Sequence, residues 1–289
     1  MKKINIAIIG HGFVGKAVEY GFTPRGVTCN KQHSKKFIVD PKDGIDIDEL
    51  PFKELDLTFV CVPTPMGWDH SIDSSIVDSV MAKLVKEKAS GLIVLKSTVT
   101  PDVVDRIHKI VGEKFVYNPE FLTERKANQD FVNPIMHVFG GEYSSCLALS
   151  AFYEHYSTCK PCKEHYVTPV EASFIKYGIN SFLATKVAWM NQYRELVLDN
   201  GGNWASVISA MRYDNRIGSS HTHVPGHDGR LGFGGACFTK DCAAIHSMSD
   251  NLNGDDLTIL GEAISYNNIV RSQYEDLDDR EKEQNVTYN

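Results

Sequence analysis

Hydrophobic positions in the first half of the chain fall into short runs rich in β-branched and aromatic residues: Ile4 to Ile9, Phe37 to Val39, Leu57 to Val62, Leu92 to Leu95, Phe115 to Tyr117 and Met136 to Phe139. Compact apolar runs of this kind predict buried strands. Between them the apolar residues space out, and in Ile72 to Lys88 they fall at Ile76, Val77, Val80 and Leu84, the spacing of one helical face. Strands and helices in alternation predict an α/β fold, a Rossmann-like parallel sheet domain with helices on both faces. After about residue 168 the strand signal stops. Pro169 to about Asn200 then reads as one long helix, with Glu171 in its first turn, Phe174, Phe182, Leu183, Val187, Met190 and Leu196 as apolar positions, and Gly201-Gly202 as its stop.

Two further helical stretches, Cys237 to Ser249 and Leu257 to Arg271, complete an all-helical domain around that long central helix. Thr23 to Ser34 reads as an enlarged helix–strand connection, and Gly218 to Gly235 as a Gly/His-rich loop. Glu275 to Asn289 is charged and almost without large apolar groups, so it is expected to fray as a flexible tail. The expected domains are therefore 1–168 (parallel sheet with helices), 169–274 (helical) and the tail, 275–289. No internal repeat is visible.

Composition narrows the function classes. The 289 residues suit about two domains, and 42% apolar with 23% charged residues is ordinary for a globular protein. Thirty Lys and Arg against 37 Asp and Glu leave a net charge of −7, which argues against coating nucleic acid or an anionic membrane. No apolar stretch approaches the roughly 18 residues that span a bilayer. The apolar run after Lys2-Lys3 ends in glycines without a cleavage pattern, so no signal peptide is expected. Seven scattered cysteines, an odd number, fit a reducing cytoplasm better than a disulfide framework.

Directly after the first strand stands Gly10-His11-Gly12-Phe13-Val14-Gly15, a G-x-G-x-x-G that opens a helix. Glycine there permits the tight turn and the close approach of a pyrophosphate to the helix N-terminus. Asp40 closes the second strand in FIVDP, where an acid suits a ribose 2′-hydroxyl and repels a 2′-phosphate, so NAD is expected over NADP. Lys35, Lys36 and Lys42 nearby could still receive a phosphate.

Three further segments carry polar groups at strand or helix ends. Lys96-Ser97-Thr98 and Tyr117-Asn118-Pro119-Glu120-Phe121-Leu122 follow strands, where open α/β sheets present ligand-binding groups, although each alone could be a polar exit into a loop. Gly232-Phe233-Gly234-Gly235-Ala236-Cys237-Phe238-Thr239-Lys240-Asp241 delivers a cysteine to a helix start, and the helix N-terminus and Lys240 both favour a thiolate. In the long helix Lys176 and Asn180, at i and i+4, share a face and suit an oxyanion.

The stretches GHGFVG, FVCVPTP, VLKSTV, YNPEFLTE, EASFIKYGINSFLATK and GFGGACFTKD, in this order, resemble the nucleotide-sugar 6-dehydrogenases, the group typified by UDP-glucose 6-dehydrogenase. The resemblance covers Ile4 to about Asn268. It implies an NAD-dependent, four-electron oxidation of a sugar C6 alcohol to a carboxylate, best guessed as UDP-glucose to UDP-glucuronate. It makes Cys237 the nucleophile, gives Asp241 and Lys176 proton handling, pairs Asn180 with Lys176 at the oxyanion, and assigns Thr98 and Glu120 to the water and proton relay. It also implies Val62, Pro63, Thr64, Ser97, Thr98 and Lys240 as dinucleotide contacts beside the glycine loop. Phe121, Leu122, Glu124, Arg216, Phe233 and Gly234 become substrate contacts, with Arg216 reaching the substrate across a homodimer interface on the long helix.

The chain departs from that family in several places. At this length a third, C-terminal, nucleotide-binding domain is expected to be missing. Pro41 to Asp56 is short, Arg125 replaces a usual glycine, and Ser219 to Leu231 is enlarged with His221, His223 and His227. Two other readings stand beside the first: a β-hydroxyacid dehydrogenase, which transfers a single hydride and needs no cysteine, and a degenerate NAD-binding regulatory module. His155, Cys159, Cys162 and His165 have spacings that zinc sites use, but they crowd one short loop, and no metal is expected.

Overall fold

The computed structural model describes residues 3–24, 33–250 and 257–288. Residues 25–32, the larger part of the connection read between Thr23 and Ser34, lie outside the described residues. Seven strands make one sheet: β1 (Ile4–Ile9), β2 (Ser34–Val39), β3 (Leu57–Val60), β4 (Leu92–Leu95), β5 (Phe115–Tyr117), β6 (Met136–Gly141) and β7 (Lys163–Val167), in the order β2-β1-β3-β4-β5-β6-β7. The expected α/β, Rossmann-like architecture is observed. β1 to β5 are parallel, β6 turns antiparallel to β5, and β7 runs parallel to β6.

Successive strand residues enter opposite cores. Ala7, Ile9, Val60, Ile93 and Leu95 pack on one face, and Ile6, Ile8, Phe59, Leu92 and Val94 on the other. Burial on both faces is why these strands read as unbroken apolar runs. The first face is covered by α2 (Ser75–Lys86) and α3 (Pro101–Val111), through Val77, Met81, Leu84, Val104 and Ile107. The second is covered by α1 (Phe13–Gly21), α4 (Ala127–Val132) and α5 (Tyr143–Tyr156), through Val18, Phe131, Leu149 and Tyr153.

The long helix α6 spans Pro169–Asp199. Thr168 and Glu171 cap its start reciprocally: the Thr168 N–H donates to Glu171 Oε2 at 2.8 Å, and the Glu171 N–H donates to Thr168 Oγ1 at 3.2 Å. Gly201, at φ +73°, follows its end.

The chain divides into two compact units, residues 1–64 with 73–176, and residues 65–72 with 177–289. The division falls inside α6 rather than at residue 168, because Val170, Ala172 and Ile175 of its first turns pack into the sheet core. The second unit contains the rest of α6, α7 (Trp204–Met211), α8 (Ala236–Asp250), α9 (Thr258–Arg271) and α10 (Asp279–Glu283). Its core joins Tyr177, Ala184 and Ala188 of α6 to Cys242, Ile245, Leu260 and Ala263, with Phe233 and Ile72.

The segment expected to fray is ordered instead. Asp278 and Glu281 form a capping box, Val286 is buried, and the Gln284 carbonyl accepts the Met66 N–H at 2.9 Å. Composition misled here because polar side chains, rather than large apolar ones, dock the segment. Among the described residues no helix is long and apolar enough to cross a membrane.

Candidate active site

In the first unit, the chain leaves β1 for β2 on one side and returns to β3 on the other, which makes the carboxyl ends of β1 and β3 the switch point of the sheet. Gly10 emerges there at φ +88°, and a Cβ on it would lie 2.6 Å from the Cys61 carbonyl oxygen. A Cβ on Gly15 would lie 2.0 Å from the Gly10 carbonyl oxygen, so both positions demand glycine. A Cβ on Gly12, by contrast, would meet nothing within 4 Å. Gly12 caps α1 (Phe13–Gly21) without a side-chain hydrogen bond, and a helix N-terminus is an end favourable to phosphate. The residues present fit a dinucleotide.

Asp40 directly follows β2. Its Oδ2 accepts the His11 N–H at 2.7 Å and its Oδ1 the Lys42 N–H at 2.9 Å. Each oxygen keeps a second lone pair for a ribose hydroxyl. Val62, Pro63 and Thr64 follow β3, and Ser97 Oγ ties the exit of β4 to this segment by donating to the Val62 carbonyl at 2.6 Å. Thr98 is buried beside it.

Lys96, just before Ser97, is buried and donates to Asn118 Oδ1 at 3.0 Å, an oxygen that Tyr153 OH also reaches at 2.8 Å. Burial pulls the Lys96 amine down to about 8. Burial also pushes the Cys61 thiol up to about 12, so this cysteine is an inert one.

Glu120 and Lys176 meet in the same unit, both buried. Lys176 Nζ donates to the Glu120 carbonyl at 2.7 Å and lies 3.3 Å from its Oε1, while Glu120 Oε2 accepts the Leu122 N–H at 2.6 Å. The ammonium also lies 5.4 Å from the centre of the Phe121 ring. The Glu124 side chain falls outside the described set.

In the second unit, Cys237 is half-buried in the first turn of α8. One turn on, Asp241 accepts Asn180 Nδ2 at 2.7 Å and Lys240 Nζ at 2.6 Å, with all three residues buried. Lys240, read from sequence as a partner of the thiolate, is thus directed to Asp241. Phe233 is buried, and Gly234 lies against the Arg271 guanidinium so closely that a Cβ on it would sit 1.3 Å from Nη2. Arg216 is exposed and pairs with Asp214 at 2.6 Å.

The loop that delivers Cys237 is held through its main-chain amides by side chains from several elements. Leu231 N–H donates to Tyr274 OH at 3.1 Å, Gly232 N–H to Asn191 Oδ1 at 3.0 Å, Phe233 N–H to Asn267 Oδ1 at 2.7 Å and Gly235 N–H to Glu281 Oε1 at 2.9 Å. Sequence reasoning missed these holders. The i, i+4 spacing of Asn267 and Arg271 on α9, and the Asp278-x-x-Glu281 box, were the available signals. Burial raises the Glu281 carboxyl, but hydrogen bonds from Tyr288, Asp278 and Gly235, with the Arg271 charge, hold it below its ordinary range.

Among the described residues no three His, Cys, Asp or Glu side chains, His155, Cys159, Cys162 and His165 included, are grouped so that they could hold a metal ion. Cys159 Sγ donates to the Phe131 carbonyl at 3.0 Å. His221 packs on Phe238, with ring centres 5.4 Å apart, and burial lowers its pKa; His223 and His227 lie 5.1 Å apart.

Residues 44–157 match the NAD binding domain, and residues 170–269 the central domain, of the UDP-glucose/GDP-mannose dehydrogenase family. The chain is 30% identical to the UDP-glucose 6-dehydrogenase of Rickettsia typhi, with 92% of this chain and 67% of that protein aligned. It is 30% identical to the enzyme of the same name from Rickettsia conorii over 86% of this chain, and there it spans 63% of the relative's length. Among solved structures, a UDP-glucose dehydrogenase from Pyrobaculum islandicum superposes with a TM-score of 0.74 at 25% identity, over 93% of this chain and 68% of that one.

Proposed function

Because the chain belongs to the UDP-glucose/GDP-mannose dehydrogenase family, whose dinucleotide is NAD, we propose that it oxidises the C6 alcohol of a nucleotide sugar to a carboxylate in two steps, with UDP-glucose the first substrate to try. The observation that carries this reading is Cys237 at the start of α8, one turn before an aspartate held by an amide and an ammonium. A single-hydride alcohol dehydrogenase has no use for that cysteine.

Two NAD molecules, bound in turn, would each accept one hydride and leave as NADH. The chain's own groups do the rest. Lys176 and Asp241 move the proton of the C6 hydroxyl and position water. Cys237 Sγ bonds to the aldehyde carbon, and the former carbonyl oxygen takes up negative charge that Asn180 and Lys176 stabilise. Loss of the second hydride leaves a thioester on Sγ. Glu120, with Thr98 orienting the water, takes the proton of the attacking water, and the C–S bond breaks to return the thiolate and release the carboxylate.

Phe182, Trp189 and Leu196 support pairing of two copies along α6: they recur every seven residues and are 69%, 48% and 57% exposed. A homodimer brings Arg216 of one copy toward the substrate of the other, as the family resemblance implies.

The test is stoichiometry. Incubation with NAD and UDP-glucose, UDP-N-acetyl sugars, GDP-mannose or free sugars is expected to yield about two NADH per acid formed with a nucleotide sugar, as the thioester route requires. One NADH with a stable aldehyde or ketone would move the chain to single-hydride chemistry. Asp40 gives a second check. Asp40→Ala is expected to reduce the preference for NAD over NADP by about tenfold or more, the worth of a lost charge-assisted hydrogen bond to the ribose together with relief of repulsion. Unchanged dissociation constants for both dinucleotides would remove Asp40 from ribose recognition.

A further inference from the structure

The segment that composition marked as a tail supplies a charged acceptor to the cysteine loop. Glu281 is 1% exposed, and both its oxygens are engaged. Oε1 accepts the Gly235 N–H at 2.9 Å and the Tyr288 hydroxyl at 2.6 Å, and lies 3.6 Å from Arg271 Nη2; Oε2 accepts the Asp278 N–H at 2.9 Å. Arg271, itself buried, is fixed from its other side by Asp228 at 2.7 Å and lies against Gly234. The Tyr288 hydroxyl comes within 3.4 Å of Thr239 Oγ1 in α8. Residues 278–288 therefore grip the chain on both sides of Cys237, at Gly235 and at Thr239.

We propose that Glu281 is a positioning residue for Cys237, and that residues 278–288 form a strap holding the start of α8 so that the thiol is presented in one place. The proposal rests on the reading of Cys237 as the nucleophile. A carboxylate at a helix N-terminus is favourable to the helix and makes a stronger hydrogen bond than the neutral acceptors on the neighbouring amides. Its negative charge opposes a thiolate on the same turn, so Glu281 serves geometry rather than activation. The three other held amides have neutral partners, and only the Gly235 tie depends on the strap.

Glu281→Ala and Glu281→Gln in the full chain separate the two effects. Each is read by site-resolved iodoacetamide alkylation of Cys237 and by steady-state kinetics with NAD and a nucleotide sugar. Glu281→Ala is expected to speed alkylation about tenfold, and to lower kcat about 10- to 100-fold with KM within about twofold, the cost of a displaced reacting atom. Glu281→Gln keeps an oxygen acceptor for Gly235 and is expected to stay within about threefold of the parent in both assays. Alkylation as fast in Glu281→Gln as in Glu281→Ala would assign the effect to charge and overturn the proposal. Parent-like rates in Glu281→Ala would overturn it as well. Should Glu281→Ala not fold, Tyr288→Phe decides: alkylation about threefold faster supports the strap, and the parent rate refutes it. Alkylation needs no sugar, so a chain that oxidises no nucleotide sugar still answers for the strap, while turnover answers for the oxidation.

Discussion

Cys237→Ser is expected to leave a folded, NAD-binding protein whose net oxidation to the acid falls by roughly three orders of magnitude or more. The exchange of sulfur for oxygen is small in volume at a half-buried position. The fold of the loop does not rest on the thiol, because its amides are held by Tyr274, Asn191, Asn267 and Glu281. What changes is chemistry. A cysteine thiol gives up its proton far more readily than a serine hydroxyl, the N-terminal end of α8 favours the anion, and a serine ester resists hydrolysis. Turnover assays beside NAD titration check both halves of the expectation. Near-normal acid formation by Cys237→Ser would take the cysteine out of the reaction, and the four-electron reading with it.

Glu120→Gln is expected to fail at a different point. It should form the thioester and then stall, lowering kcat by about 10²- to 10⁴-fold, because water attack needs a base while thiolate attack does not. Intact-mass spectrometry during turnover should show an acyl adduct, and peptide mapping should place it on Cys237. The same change has a structural cost, since Lys176 is buried and loses its countercharge. Losing one member of a buried ion pair costs up to about 3–5 kcal/mol. The Glu120 main-chain carbonyl at 2.7 Å remains as a partner for Lys176, and the glutamine oxygen can still accept the Leu122 N–H. A melting curve should therefore show a destabilised but folded protein. A variant with no adduct and an unaltered rate would remove Glu120 from hydrolysis.

Elements whose signals are local could be read from the chain alone. The helix expected from Pro169 to about Asn200 is found at Pro169–Asp199, because a capping box, continuous apolar content and a terminal glycine all act within a few residues. The glycine loop was legible for the same reason: its requirements are steric and lie within one turn. What escaped depends on partners distant in sequence. β7 is an edge strand, and its Lys163-Glu-His-Tyr-Val167 sequence needs little apolar content, so its strand signal was absent. The reversal of β6 has no local mark, since the connection from β5 carries a single 3-10 turn and the short α4. Lys96 looked like one of several polar exits, and only the fold shows that its ammonium turns inward to Asn118. The holders of the cysteine loop were invisible for a further reason. An Asn or Glu that accepts a main-chain amide far away in the sequence is indistinguishable, in composition, from a solvated one.

The pairing of Met66 with Gln284 has a consequence in time. During synthesis, residues 65–72 emerge roughly 200 residues ahead of the strand of chain that accepts the Met66 N–H, a delay of about 10–40 s at ordinary elongation rates. Nearly all of the sheet can pair within that interval, since its strands end at Val167. The 65–72 excursion, leaving and rejoining a folded sheet unit, must wait for its partners. The second unit is therefore the late-forming one, closed by a contact of very long sequence separation. Conditions that slow such closures should first yield a molecule whose dinucleotide crest is finished while its cysteine loop is not.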